Sequence, residues 1–357
     1  MVQVAGARNR GFPRTLGVLG TGLRASAVAR RLLDTRPAAV HLAIFGRDLD
    51  RLMALEREGA RRAASPADLA ARSEVVIVVL RDLDELNALL SGPSGLQAGV
   101  HSPTTVILGS PIPPEVARDL ARCLPESSTG LLRVVDAPLT GRLESIGSGT
   151  LSIMVGASPA AYLDVQPVLD LLGRSTRVGG VGSGQVATAC AQLVVAATAM
   201  ALGESTVLAE RHGLALDEVL GGWRGSEAES DFLRASSNHL TAKSYEPSTP
   251  AGDVLAWLQI AEREALRTGT RTDLVHGLLD LYAELIGSDL ADADLSVTQS
   301  FVEHRPSRTF WEQGARAAEP ELRDEDDLEE SVAAEPGRRT GARHVAAPAA
   351  RILGSAR

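Results

Sequence analysis

Gly20, Gly22 and Ala25 follow the apolar run at residues 15–19 and open a segment of helical composition at residues 23–33. The three small residues have distinct uses. The first glycine permits a tight turn, the second lets the backbone approach an anion, and the alanine lets strand and helix pack closely. Unpaired N–H groups and the dipole at the helix N-terminus favour negative charge there, so the segment reads as a cradle for a dinucleotide pyrophosphate. A second strand, at residues 41–45, ends without the carboxylate that holds the ribose 2′-hydroxyl of NAD; Gly46 stands in its place and Arg47 follows. A cation suits a 2′-phosphate. The expected cofactor is therefore NADP, with NAD possible because Asp48 is adjacent.

These groups need a scaffold to hold them. Short apolar runs at residues 75–80, 105–108 and 132–135 alternate with helical stretches, and two further strands, at 150–155 and 176–179, flank a helix at 159–172. Such alternation implies an α/β Rossmann-type doubly wound parallel sheet. Residues 185–212 are apolar around most of a helix and must be buried on several sides, and residues 216–302 continue as helices. The expected organisation is a flexible N-terminus at 1–14, a nucleotide-binding domain at 15–182 and an all-α C-terminal domain at 183–303. A disordered tail at 304–357, acidic and then rich in Arg, Ala and Pro, completes the chain.

Composition narrows the function classes. A net charge of −9 over 357 residues argues against general nucleic-acid binding. Cys123 and Cys190 are the only cysteines, too few for a disulfide framework or a zinc ligand set, and the seven histidines are scattered. No metal is expected. The polar opening residues and the apparent lack of a membrane span point to a cytoplasmic protein. Lys243 is the only lysine.

Seven motifs occur in order: GVLGTGLRA at 17–25, VVIVVLRD at 75–82, GPSGL at 92–96, DAPLTG at 136–141, GTLSIMVGA at 149–157, GGVGSGQVA at 179–187 and LLDLYAELIGSDLADADLS at 278–296. With these the chain resembles, over residues 15–302, the β-hydroxyacid dehydrogenase family. That family includes 3-hydroxyisobutyrate dehydrogenase, and imine reductases and 6-phosphogluconate dehydrogenases are related to it. The resemblance implies an NAD(P)-dependent oxidoreductase acting on a small molecule, built as a homodimer. It implies cofactor contacts from Gly20, Thr21, Gly22, Leu23, Arg24 and Ala25, from Arg47, and from Leu80 and Ser110. Thr140 and Gly141 would anchor substrate, joined by Arg142 in place of a second family glycine, and Trp223 in GGWRG would line the cleft.

The catalytic positions depart from the family. Thr188 stands where the family has its lysine and Gln192 where it has an asparagine, while a later Lys-Asp pair aligns with Ala256 and Trp257. Pro111 removes a hydroxyl and an N–H donor from the loop that begins at Ser110. Reduction of a carbonyl needs a proton delivered at oxygen, a task suited to a lysine of lowered pKa and not to a threonine. A protonated imine asks less of the enzyme. Three readings follow: a reductase of an imine or unusual carbonyl, with Thr188 and Gln192 orienting substrate or water; a β-hydroxyacid dehydrogenase using another acid, such as Tyr245, Asp231 or His239; or a non-catalytic NADP-binding protein.

Overall fold

Short runs of Val, Ile and Leu, each closed by Gly, Pro or a polar residue, set the strands of this chain, whose computed structural model describes residues 11–80 and 83–305. The expectations of a flexible N-terminus and a disordered tail fall largely outside the described residues. The first part alternates strictly: β1 (Thr15–Leu19), α1 (Leu23–Thr35), β2 (His41–Phe45), α2 (Leu49–Arg57), β3 (Arg61–Arg62), α3 (Pro66–Ala71), β4 (Val75–Val78) and α4 (Leu83–Leu90). It continues with β5 (Thr104–Leu108), α5 (Pro114–Ser127), β6 (Leu132–Asp136), α6 (Leu143–Ser148), β7 (Leu151–Gly156), α7 (Pro159–Leu169) and β8 (Gly173–Gly179). Helices follow: α8 (Ser183–Arg211), α9 (Leu216–Gly222), α10 (Asp231–Ala242), α11 (Ala251–Thr268), α12 (Asp273–Gly287) and α13 (Thr298–His304).

The strands form one sheet in the order β3-β2-β1-β4-β5-β6-β7-β8. The first six run in parallel, and the order reverses between β1 and β4, where α/β sheets open a crevice for ligands. The sheet is mostly parallel, as expected, and β7 runs antiparallel to β6, paired through Asp136 and Gly156. The two-residue strand β3, made of arginines, carries no apolar run and was not legible in the sequence.

Strand side chains alternate between two aliphatic layers. Val18, Ile44 and Ile77 pack on one face with α1, while Leu19, Val76 and Leu108 pack on the other. A third layer joins α8, α11 and α12 through Met200, Leu258, Leu285 and Tyr282, whose hydroxyl donates to the Ala196 carbonyl at 3.0 Å. By length and composition alone α8 could cross a membrane, but it packs against α11, β7 and β8 as a core helix. Part of its surface stays open, with Val194 65% and Leu208 60% exposed.

Candidate active site

The turn after β1 is built as its glycines require. Gly20 has φ of +131°, and a Cβ there would meet the Val79 carbonyl at 2.1 Å. Gly22 caps α1 with no side-chain hydrogen bond, and a Cβ there would meet nothing within 4 Å. The first N–H groups of α1 thus face open space at the carboxyl end of the sheet, which fits a diphosphate. The crevice beyond is a cleft of about 430 Å³, lined by Gly22, Leu23, Arg24 and Ala25 on one side and by Gly252, Asp253, Ala256 and Trp257 of α11 on the other.

At the β2 end, Gly46 has a steric cause. A Cβ there would collide with the Thr21 side chain at 2.4 Å, while the Thr21 hydroxyl accepts the Asp48 N–H at 3.1 Å. Asp48 spends its carboxylate capping α2, through the Arg51 N–H, and pairing with the Arg51 guanidinium at 3.2 Å. Arg51 also donates to the Thr21 carbonyl at 3.1 Å and lines the cleft. Arg47 does not line it; its side chain is 71% exposed and pairs with Glu85. The helical period explains the difference, since Arg51 lies one turn into α2 and points back over its N-terminus. Nothing in the sequence around Arg51 marks it as a second cation for this end of the cleft.

Leu80 and Ser110 sit at the ends of β4 and β5, joined by the Leu80 N–H donating to Ser110 Oγ at 2.7 Å, and both line the cleft. Gln185, fully buried on α8, fixes the loop beside them by donating to the Ser110 carbonyl and accepting from the Ile112 N–H, each at 3.0 Å. Asp136, also fully buried, accepts from the N–H groups of Gly182 and Gln185 and so holds the start of α8. Its other oxygen has no partner, and burial pushes its pKa up to about 6. Both roles were missed, because neither residue type announces a helix anchor.

Thr140 lines the cleft, and Gly141, with φ of +119°, offers its carbonyl to Arg24 at 2.8 Å. The same guanidinium reaches Asp253 on α11 at 3.1 Å, tying the nucleotide-binding part to the helical part across the cleft. Asp253 was missed because the replaced family pair was assigned one turn later. Leu143, Pro247, Pro250 and Asp292 complete that end of the cleft.

Several expected site residues lie outside the cleft walls. Arg142 does not line the cleft; it turns to Glu144, whose carboxylate is held in turn by the Ser248 hydroxyl. Trp223 packs on Leu202, Leu216 and Leu220, away from the cleft walls, as an apolar ring next to a satellite core does. Thr188 is 1% exposed with its hydroxyl unpartnered, and neither it nor half-buried Gln192 lines the cleft. The wall there is Trp257, which packs on Ala189. The alternative acids are also elsewhere. Tyr245 donates to Gln299, and burial pushes its pKa up to about 12. Asp231 pairs with Arg234, and His239 is bonded to the Ser244 carbonyl. Among the described residues no cluster of His, Cys, Asp or Glu could hold a metal ion.

Residues 15–182 match the family model described as the NAD binding domain of 6-phosphogluconate dehydrogenase. Residues 182–300 match that of the NAD-binding region of NADP-dependent 3-hydroxyisobutyrate dehydrogenase. The chain belongs to the β-hydroxyacid dehydrogenase family. It is 27% identical over 251 residues to a probable 3-hydroxyisobutyrate dehydrogenase-like protein of Arabidopsis thaliana, covering 70% of this chain and 77% of that one. Its fold is similar to that of 3-hydroxyisobutyrate dehydrogenase from Salmonella typhimurium, with TM-score 0.70, 21% identity and coverage of 81% and 99%. It is also similar to that of an imine reductase from Myxococcus stipitatus in complex with NADP+, with TM-score 0.54, 16% identity and the same coverage. The family and its relatives make this chain an NAD(P)-dependent oxidoreductase with a Rossmann-like domain.

Proposed function

We propose that this family member is an NADPH-dependent reductase of a small imine or carbonyl compound. The observation that carries the reading is the cleft itself. It joins the open N-terminus of α1 to an end walled by Leu143, Pro247, Pro250 and Trp257 together with Asp253 and Asp292, with no lysine along it. When bound, the nicotinamide supplies the hydride. Gly20 to Ala25 would cradle the diphosphate, Leu80 and Ser110 would flank the cofactor, and Arg51, with Arg47 outside it, would favour a 2′-phosphate over a bare ribose. Thr140 would face the substrate, against the apolar surfaces of Trp257 and the prolines.

The open surface of α8 supports a homodimer, since Val194 and Leu208 are large apolar residues left exposed on a helix whose other side packs into the core. A cytoplasmic site fits the same reading. A nucleotide-binding protein without turnover is the second reading, favoured by the burial of Thr188 away from the cleft. NADPH oxidation against a panel of semialdehydes, ketones, β-ketoacids and cyclic imines tests the proposal. Consumption with at least one class supports it, and tight NADPH binding without any consumption favours the second reading.

A further inference from the structure

We propose that Arg24 is the catalytic residue that polarises the substrate, donating hydrogen bonds to a carbonyl oxygen and holding the charge that develops there, with Asp253 as its positioning residue. This rests on the reductase reading and narrows it to carbonyl compounds.

When a hydride adds to a carbonyl carbon, a C–H bond forms, the C=O π pair moves onto oxygen, and an alkoxide results. Donors already aimed at that oxygen lower the barrier. No lysine is available for this, since Lys243 is held by Glu210 and Glu303 outside the cleft. Among the described residues lining the cleft, the cations are Arg24 and Arg51. Arg51 is engaged at the β2 end, with Thr21 and Asp48.

Arg24 stands where the two ends of the cleft meet. It lies in the first turn of α1, beside the diphosphate cradle, and reaches both the Gly141 carbonyl and Asp253. Its side chain is 17% exposed, so it is held in place, yet these two bonds use only two of its five N–H donors. The remainder can serve an oxygen placed beside Thr140. A guanidinium stays protonated, so it stabilises the alkoxide without surrendering a proton, and water provides the proton that completes the alcohol. A protonated imine loses its charge when hydride adds and leaves no oxyanion for these donors to hold, so Arg24 favours carbonyls over imines.

The test compares wild-type protein with Arg24→Met, Arg24→Lys and Arg24→Ala, with Arg30→Met as a control because Arg30 pairs with Glu58 on the outer surface of α1. NADPH affinity is read by fluorescence titration and turnover on the panel above. We expect Arg24→Met and Arg24→Ala to bind NADPH within about threefold of wild type and to lose about 10²- to 10³-fold in kcat on carbonyls. Arg24→Lys should recover part of that loss, and guanidinium ion added to Arg24→Ala should restore turnover, which a structural role would not produce. Faster wild-type reduction of imines than carbonyls, or kcat insensitive to Arg24, overturns the proposal and leaves the reductase reading standing. A tenfold or greater loss of NADPH affinity with kcat intact also overturns it, and makes Arg24 a cofactor clamp. No wild-type turnover with NADPH bound rejects the reductase reading, and this proposal with it.

Discussion

The proposed preference for NADPH turns on a cation at the β2 end of the cleft, where Arg51 lines the wall and its exposed neighbour Arg47 does not. Hydrogen bonds to charged groups are worth about 1.5–3 kcal/mol, so Arg51→Ser is expected to weaken NADPH by about 10- to 100-fold and NADH much less. Arg47→Ser should cost less than Arg51→Ser. Fluorescence titration of both cofactors with both variants checks the order. Thr188 gives a second prediction. Its buried hydroxyl has no partner, so Thr188→Val removes a polar group that folding leaves unsatisfied. The variant should be as stable as wild type or more so, by about 1 kcal/mol, with unchanged turnover; thermal unfolding and the NADPH assay read both. The glycine turn was legible because its meaning is local, fixed by neighbouring residues. Arg51 and Asp253 were not, because each acts through a helical turn and a distant partner that spacing alone does not reveal.

The start of α8 is where one element controls another. Asp136 holds it through two N–H groups, and Gln185 ties it to the loop that carries Ser110. Because burial raises the Asp136 pKa from 3.8 to about 6, the folded state binds this proton more tightly than the unfolded chain. The stability it contributes is therefore complete below about pH 4 and is lost as pH rises through about 6, by roughly 3 kcal/mol for a shift of about two units. Asp136→Asn keeps an acceptor for both N–H groups without the charge. Chemical denaturation at pH 4.5 and 7.5 should show the variant gaining on wild type by about 2 kcal/mol at the higher pH, because about a third of the loss already falls below pH 4.5. The elements themselves were readable wherever an apolar period ran long enough. The reversal at β7 was not, since it shows only in the pairing of Gly156 with Asp136.

For the whole molecule, the proposed homodimer would use the open side of α8. Val194 and Leu208 would be costly to leave in water, and a twofold contact buries both at once. Val194→Glu combined with Leu208→Glu should convert a dimer to monomer in light scattering at micromolar concentration, while wild type remains associated. Lys243 has a different consequence. As the chain's only lysine, 39% exposed and paired with Glu210 and Glu303, it is the one side-chain amine available to an acylating reagent. None of the cleft-lining groups would compete for that reagent. Coupling to an activated resin or a dye would therefore mark the folded protein at one known side chain, besides the terminal α-amine, and leave the cleft unmodified.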